Sequence, residues 1–252
     1  MQTIFHDKKA KQINCLDQRF YTYDSKTFYP SVTEILQVYP RGFGFEQWLK
    51  DVGSNAKEIV ERAANFGSKI HTATEALNNG TELKWEEGYT IDEWKSILRF
   101  FDFWQKCSPK VIANEISLCS EKLEFGGTLD RVVEIAGHRY LIDIKTSNYI
   151  HKSHELQLSA YAMLWNEFNP KEPIEQTAIL WLKSSNRTEK IDFTKSICQG
   201  VSDAGAWQLK FWERHYTDAF KIFQHTQALF KEENPMFRPL NLIFPDTISL
   251  TQ

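Results

Sequence analysis

The sequence predicts an α/β fold in which a mixed central β-sheet is flanked by helices. Three observations carry that prediction. Between residues 111 and 193, runs of β-branched and aromatic residues alternate with turn-forming residues, the pattern of short strands. Around them, longer stretches repeat apolar residues at helical spacing. The chain of 252 residues is 42% hydrophobic and 14% aromatic, ample for one sizeable core with peripheral helices.

Arg19 to Tyr23 and Thr27 to Pro30 are aromatic-rich and separated by Asp24-Ser25-Lys26, which predicts a short hairpin. Ser31-Val32-Thr33-Glu34 fits a capping box, so a helix starts at Ser31 and runs to about Val38 before Pro40 stops it. Arg41 to Trp48 has two glycines among aromatics and reads as a mobile loop. Trp48 or Phe43 there either packs in the core, the commoner use of such rings, or stacks on an unpaired base. Asn55 to Leu77 is helical, with Ile59, Phe66, Ile70, Ala73 and Leu77 on one stripe and Gly67, His71 and Glu75 in line on another face. Asn78-Asn79-Gly80 ends it, and Trp85 to Tyr89 is a loop. Ile91 to Cys107 is a second amphipathic helix with Trp94, Ile97, Leu98, Phe101 and Trp104 inward.

Val111 to Cys119 reads as the first strand of the core sheet, interrupted by Glu115, a strand acid that needs a partner if buried. Val132, Val133 and Ile135 lead into Ala136-Gly137, and Tyr140 to Ile144 leads away, so the next two strands form a tight hairpin. Thr146-Ser147-Asn148 is a polar exit loop. Ser153 caps a helix that runs to about Phe168 before Asn169-Pro170, with Leu156, Ala160, Met163 and Leu164 inward and Gln157 and Tyr161 one turn apart. Thr177 to Leu182 is a further strand, with Thr188 to Phe193 pairing back as an edge. Trp207, Phe211, Phe220, Phe223 and Phe230 then recur at near-helical spacing, which predicts a covering helix over 203–233 and an irregular tail over 234–252. The whole reads as a single domain with its core at about 55–195 and an N-terminal hairpin and helices at 19–54.

The chemistry gathers in the hairpin. If Ala136 and Gly137 form the loop, Ile135 faces His138, and counting back along both strands brings Asp130 opposite Asp143. Opposed side chains have Cβ atoms roughly 5 Å apart, a separation at which two carboxylates repel unless something neutralises them. A divalent cation does so. Period-two alternation puts Lys145 on the face of Asp143, with Ile142 and Ile144 on the other. Two acids and an ammonium suit metal-assisted phosphodiester hydrolysis, in which hard oxygen ligands hold Mg²⁺ or Mn²⁺ and the lysine steadies developing negative charge. The plainer alternative is a solvated hairpin whose aspartates pair with Arg131, Arg139 and Lys145.

Gly126-Gly127-Thr128-Leu129-Asp130, then Leu141-Ile142-Asp143-Ile144-Lys145-Thr146, then Gln157-Leu158-Ser159-Ala160-Tyr161 resembles the PD-(D/E)XK nuclease superfamily. Gly67-Ser68-Lys69-Ile70-His71 upstream narrows the likeness to the RecB-type branch, which includes phage-encoded exonucleases, CRISPR-adaptation nucleases and the mitochondrial genome maintenance exonuclease. The resemblance spans roughly Tyr29 to Trp181, and Leu129 stands where the superfamily name has proline.

That resemblance implies a restriction-endonuclease-like core and a set of roles. Asp130, Asp143 and Lys145 are the catalytic residues. His71, Asp130, Asp143 and the carbonyl of Ile144 ligate Mg²⁺ or Mn²⁺, as one or two ions. Gln157, Tyr161 and Thr146 contact the substrate backbone or a base. Glu115 near Lys145, Glu75 beside His71, and Gly67, which permits close approach, form an outer shell. Some relatives carry an iron–sulfur cluster on one early and three late cysteines, but of Cys15, Cys107, Cys119 and Cys198 only the last lies late, so no cluster is expected.

The implied activity is a DNA exonuclease in recombination, repair or replication processing, with partner proteins from those assemblies. Structure-selective or flap endonuclease and a catalytically silent DNA-binding scaffold remain as alternatives, and RNA as a further substrate. A net charge of −3 argues against coating nucleic acid non-specifically and leaves room for a local basic track, for which Lys183, Arg187, Lys190 and Lys195 are candidates. No stretch is long and apolar enough to cross a membrane, and Met1 to Lys11 is polar. The expected location is therefore the cytoplasm of a prokaryotic or phage-infected cell.

Overall fold

The structure, a computed structural model, describes residues 10–15 and 18–239, without the Phe43 side chain. The polar segment expected at the N-terminus lies outside the described residues up to position 9, and so does the tail from 240 onward. The expected N-terminal hairpin is a three-stranded antiparallel sheet, β1 Lys11–Cys15, β2 Gln18–Thr22 and β3 Tyr29–Pro30. Its first strand lacks a sequence signal because Lys11, Gln12 and Asn14 are polar and exposed, leaving Ile13 and Cys15 as the only apolar residues. Ser31 caps α1 (Val32–Ile35) by accepting from the Glu34 amide at 3.0 Å.

Arg41 to Trp48 is not a loop throughout. Gly42, at φ 82, leads into α2 (Phe43–Val52), and the helix formers Glu46 to Lys50 outweigh the one glycine inside it. In α3 (Ala56–Asn78), Ile70 and Ala73 are buried as expected. Ile59 is exposed, because the first ten residues of this helix stand clear of the core. The next helix, α4 (Ile91–Cys107), has the predicted ends and a full Thr90/Glu93 capping box. It buries Ile97, Phe100 and Phe103 and leaves Leu98 and Phe101 exposed. With aromatics at 100, 101, 103 and 104, the spacing fits two faces, and packing against the sheet chooses one.

The central sheet has seven strands in the order β4-β5-β6-β7-β10-β9-β8. The first three are β4 (Lys110–Ser120), β5 (Phe125–Ile135) and β6 (His138–Lys145). Ala136 and Gly137 turn the hairpin with φ of 51 and 83, the left-handed pair that a two-residue turn requires. Next, α5 (Lys152–Phe168), capped at His151 rather than Ser153, carries the chain over to β7 (Gln176–Ser184), which runs parallel to β6. Every other pairing in the sheet is antiparallel, which makes it mixed.

The C-terminal third departs most from expectation. The edge strand β8 is short (Lys190–Asp192) and pairs with β9 (Ile197–Ser202), not with β7. Between β9 and β7 lies β10 (Gly205–Phe211), so Trp207 and Phe211 are strand residues. The covering helix is only α6 (Tyr216–Glu233). Asp203-Ala204 turns the β9–β10 hairpin, and Gly205, at φ 112, opens β10 opposite Ser202. Alternate aromatics in a strand and aromatics at helical spacing overlap over so short a run.

Alternation along the strands divides the core. Val132 and Leu141 pack against α5 and α6, while their neighbours Val133 and Ile142, with Ile144, pack against α3 and α4. The four cysteines are free, with Cys107 Sγ 3.3 Å from Cys198 Sγ. Among the described residues no helix is long and apolar enough to cross a membrane.

Candidate active site

Asp130 and Asp143 sit where β5 and β6 part. The ladder keeps the expected register from Ile135–His138 to its end at Arg131–Ile142, and a count of one step further sets Asp130 opposite Asp143, each within the field of the other. There the Ile144 amide donates to Asp130 Oδ2 at 3.0 Å, so a side chain replaces a backbone partner. On the other flank of β5, Asn114 pairs with Arg131 and Ile116 with Leu129, which leaves Glu115 across from Asp130. Three acids thus stand in a row on three neighbouring strands.

Glu115 has a left-handed backbone, φ 47, a conformation that costs a non-glycine residue about 1–2 kcal/mol and persists only where surroundings enforce it. Arg131 is the enforcer. Its side chain is 1% exposed; Nη1 donates to Glu115 Oε1 at 3.2 Å and to the Asp130 carbonyl at 2.7 Å, Nε to Asn78 Oδ1 at 2.8 Å, and Nη2 to Thr74 Oγ1 at 3.2 Å. This guanidinium fastens α3 to β4 and β5. Arg131, expected at most as a surface partner for the aspartates, is buried instead; the signal for this is its position inside the run Leu129 to Val133, otherwise apolar but for Asp130.

His71 reaches the acids from α3. Its Nε2 donates to the Ile144 carbonyl at 3.0 Å, and Nδ1 lies 3.3 Å from Asp130 Oδ2 and 3.7 Å from Glu115 Oε1. Burial opposes the imidazolium, but Asp130, Glu115 and Asp143 outweigh it and raise the pKa to about 9. The ring is therefore protonated at neutral pH. Glu75 lines the same cleft, and among the described residues no hydrogen bond joins it to His71. Glu115, expected further out near Lys145, instead lies with His71 and Asp130: their ligand atoms fall within 4.8 Å of one another.

Lys145 Nζ lies 2.5 Å from Asp143 Oδ2. Burial disfavours the ammonium, yet Asp143 and Asp130 hold its pKa above the ordinary lysine value. Burial also pushes the Asp143 carboxyl up, against the pull of Lys145 and with the help of Asp130. Asp143 Oδ2 is enclosed, and its close partner is the Lys145 ammonium. Carboxylates, an imidazole and a carbonyl make a donor set that suits a hard divalent ion.

One cleft of about 680 Å³ is lined by His71, Glu75, Glu115, Asp130, Asp143, Ile144 and Lys145 and by Gly67, Thr146, Gln157 and Tyr161. On α5, Gln157 Nε2 donates to Tyr161 Oη at 3.2 Å. A methyl on Gly67 would stand 3.6 Å from Thr146 Oγ1, an ordinary contact, so the sheet does not demand glycine there; the space belongs to the cleft. Arg19, Tyr21 and Thr33 from the N-terminal region form the far bank, which sequence reading gave no role. Of the four cations proposed as a basic track, Lys183 lines the cleft, over the Phe66 ring at 5.3 Å, whereas Lys190 lies on the far edge strand and Lys195 pairs with Asp192.

A mixed sheet with helices on both faces and an acid row where two central strands part define the restriction-endonuclease-like fold. The chain belongs to the PD-(D/E)XK nuclease superfamily, whose family model matches residues 32–234. It is thus a member of a class of hydrolases that cleave nucleic acid with divalent metal ions. No curated protein matches the chain.

Proposed function

We propose that this protein is a Mg²⁺- or Mn²⁺-dependent DNA exonuclease of the RecB-type branch, acting in recombination, repair or replication processing. The observation that carries the reading is the convergence of His71, Glu115 and Asp130, whose ligand atoms lie within 4.8 Å of one another, beside Asp143 and Lys145 in one cleft. Asp130, Asp143, His71 and the Ile144 carbonyl are the residues that would hold the ion, with Glu115 as a further carboxylate within reach of His71 and Asp130. A bound divalent cation supplies Lewis acidity at the phosphate and an acidified water.

The chain's own groups do the rest. Lys145 directs the attacking water and balances charge that develops on the phosphate as the new P–O bond forms and the old one breaks. Arg131 fixes the acid row, so that the carboxylates need no rearrangement when substrate arrives. Gln157, Thr146 and Tyr161 contact the strand, and Arg19 and Lys183 neutralise phosphates at the two banks of the cleft.

The test is time-resolved digestion of end-labelled DNA with Mg²⁺ or Mn²⁺. Release of mononucleotides from open ends, abolished by EDTA and by Asp143→Ala or Lys145→Ala, is expected. Cutting of a closed circle would replace exonuclease by endonuclease, and undiminished digestion by both variants would refute the site.

A further inference from the structure

The catalytic cleft does not end at Gln157. Thr33 and Gln157 line both it and a second groove, and Tyr39, Pro40, Arg41 and Ser153 line both that groove and a third, which reaches Phe45, His151 and Lys152. Charge changes sharply along this path. Glu75, Glu115, Asp130 and Asp143 line the cleft, but among the described residues no acid lines either outer groove, in a chain of net charge −3. Arg41 and Lys152 are exposed there and, among the described residues, make no ion pair; Arg41 lies over the Phe45 ring at 5.0 Å. Phe45 in turn lies 5.6 Å from Trp48, both half-buried.

Cations without carboxylate partners, interleaved with half-exposed rings along an acid-free groove, suit an unpaired strand, whose phosphates need charge and whose bases need faces to stack on. A duplex keeps its bases stacked inside and would use only the charge. We propose that the groove from Gln157 past Arg41 to Phe45 and Lys152 is a binding track for single-stranded nucleic acid continuous with the cleft. This rests on the nuclease reading and extends it to the state of the substrate: the scissile phosphate lies at Asp143, and the neighbouring nucleotides of the same unpaired strand lie along α2 and the start of α5.

The experiment is fluorescence anisotropy of the whole protein in EDTA, which prevents digestion, with labelled oligothymidylate, oligouridylate, an abasic oligomer of equal length and a blunt duplex. Single strands should bind more tightly than the duplex or the abasic oligomer, and the deoxy and ribo arms tell which sugar the track prefers. Arg41→Ala/Lys152→Ala should weaken single-strand binding about tenfold and lower the slope of log affinity against log salt by about 1.4, two phosphate contacts' worth. Phe45→Ala should weaken it about tenfold with the slope unchanged. Lys221→Ala, on α6, should bind as wild type. Groove variants that bind like wild type, or an abasic oligomer that binds as well as oligothymidylate, overturn the track while leaving the nuclease reading intact. That reading fails only if wild type with Mg²⁺ or Mn²⁺ cleaves no nucleic acid at all.

Discussion

The Tyr161 ring occupies the place where a side chain on Gly127 would stand: a β-carbon there would lie 2.2 Å from Cε1. The glycine of β5 and the tyrosine of α5 fit each other, and their contact presses the helix that carries Gln157 onto the strand that carries Asp130. Real Cβ atoms do not approach that closely, so Gly127→Ala must shift the ring or the strand. We expect a loss of about 1–3 kcal/mol in urea unfolding, with part of it recovered in Gly127→Ala/Tyr161→Leu. A single variant as stable as wild type would show that α5 yields freely.

Metal should be visible without turnover. Ligands that bind only the folded state raise its stability, by about 2.7 kcal/mol at a hundredfold excess over Kd. Mg²⁺ or Mn²⁺ should therefore raise the melting temperature of wild type, and not of Asp130→Asn or Asp143→Asn. Lys145→Ala should keep the metal-dependent rise while its cleavage rate falls about 100- to 1000-fold, the cost of removing one charge-stabilising donor. Equal melting shifts in all four proteins would place the ion elsewhere.

Arg131 joins three elements from a site 1% exposed. Arg131→Ala leaves Glu115 without its guanidinium, breaks the hydrogen bonds to Asn78 and Thr74, and removes the support for a left-handed backbone. Stability should fall by about 3–5 kcal/mol. Arg131→Lys should recover little, since one ammonium cannot reach four acceptors in a planar fan. Chemical denaturation of the three proteins checks both statements.

His154, in the first turn of α5, is held neutral. Burial foremost, then the nearby Lys145, lower its pKa from 6.5 to about 4, and its Nδ1 accepts from the His151 amide at 3.3 Å. The unfolded chain takes up this proton near pH 6.5 and the folded chain only near 4. The group therefore costs nothing above about 6.5 and destabilises progressively as pH falls toward 4. His154→Gln should show a flatter decline in urea midpoint over that window, and a decline as steep as wild type would assign the acid sensitivity to other groups.

Much of the site was legible because its signals are local. A count from the Ala136-Gly137 turn sets Asp130 opposite Asp143, and Lys145 follows from alternation; neither step needs more than fourteen residues of chain. His71, Gln157 and Tyr161 came from the motif spacing, and all of them line the cleft. The covering helix expected over 203–233 begins only at Tyr216, because the five aromatics fit helical spacing while the β9–β10 turn and the pairing with β7 make a hairpin strand up to Phe211.

The amino-acid sequence by itself determined the class of fold, the hairpin register and the residues that bear charge at its open end, since pattern and turn chemistry act over short range. Only the tertiary structure decided that Arg131 is a buried tie, that Glu115 joins the acid row through a left-handed backbone, and that the N-terminal strands and α2 extend the cleft. Those facts depend on which surfaces meet across the sheet, and burial and charge pairing between residues distant in the chain are set by packing, not by neighbours in sequence.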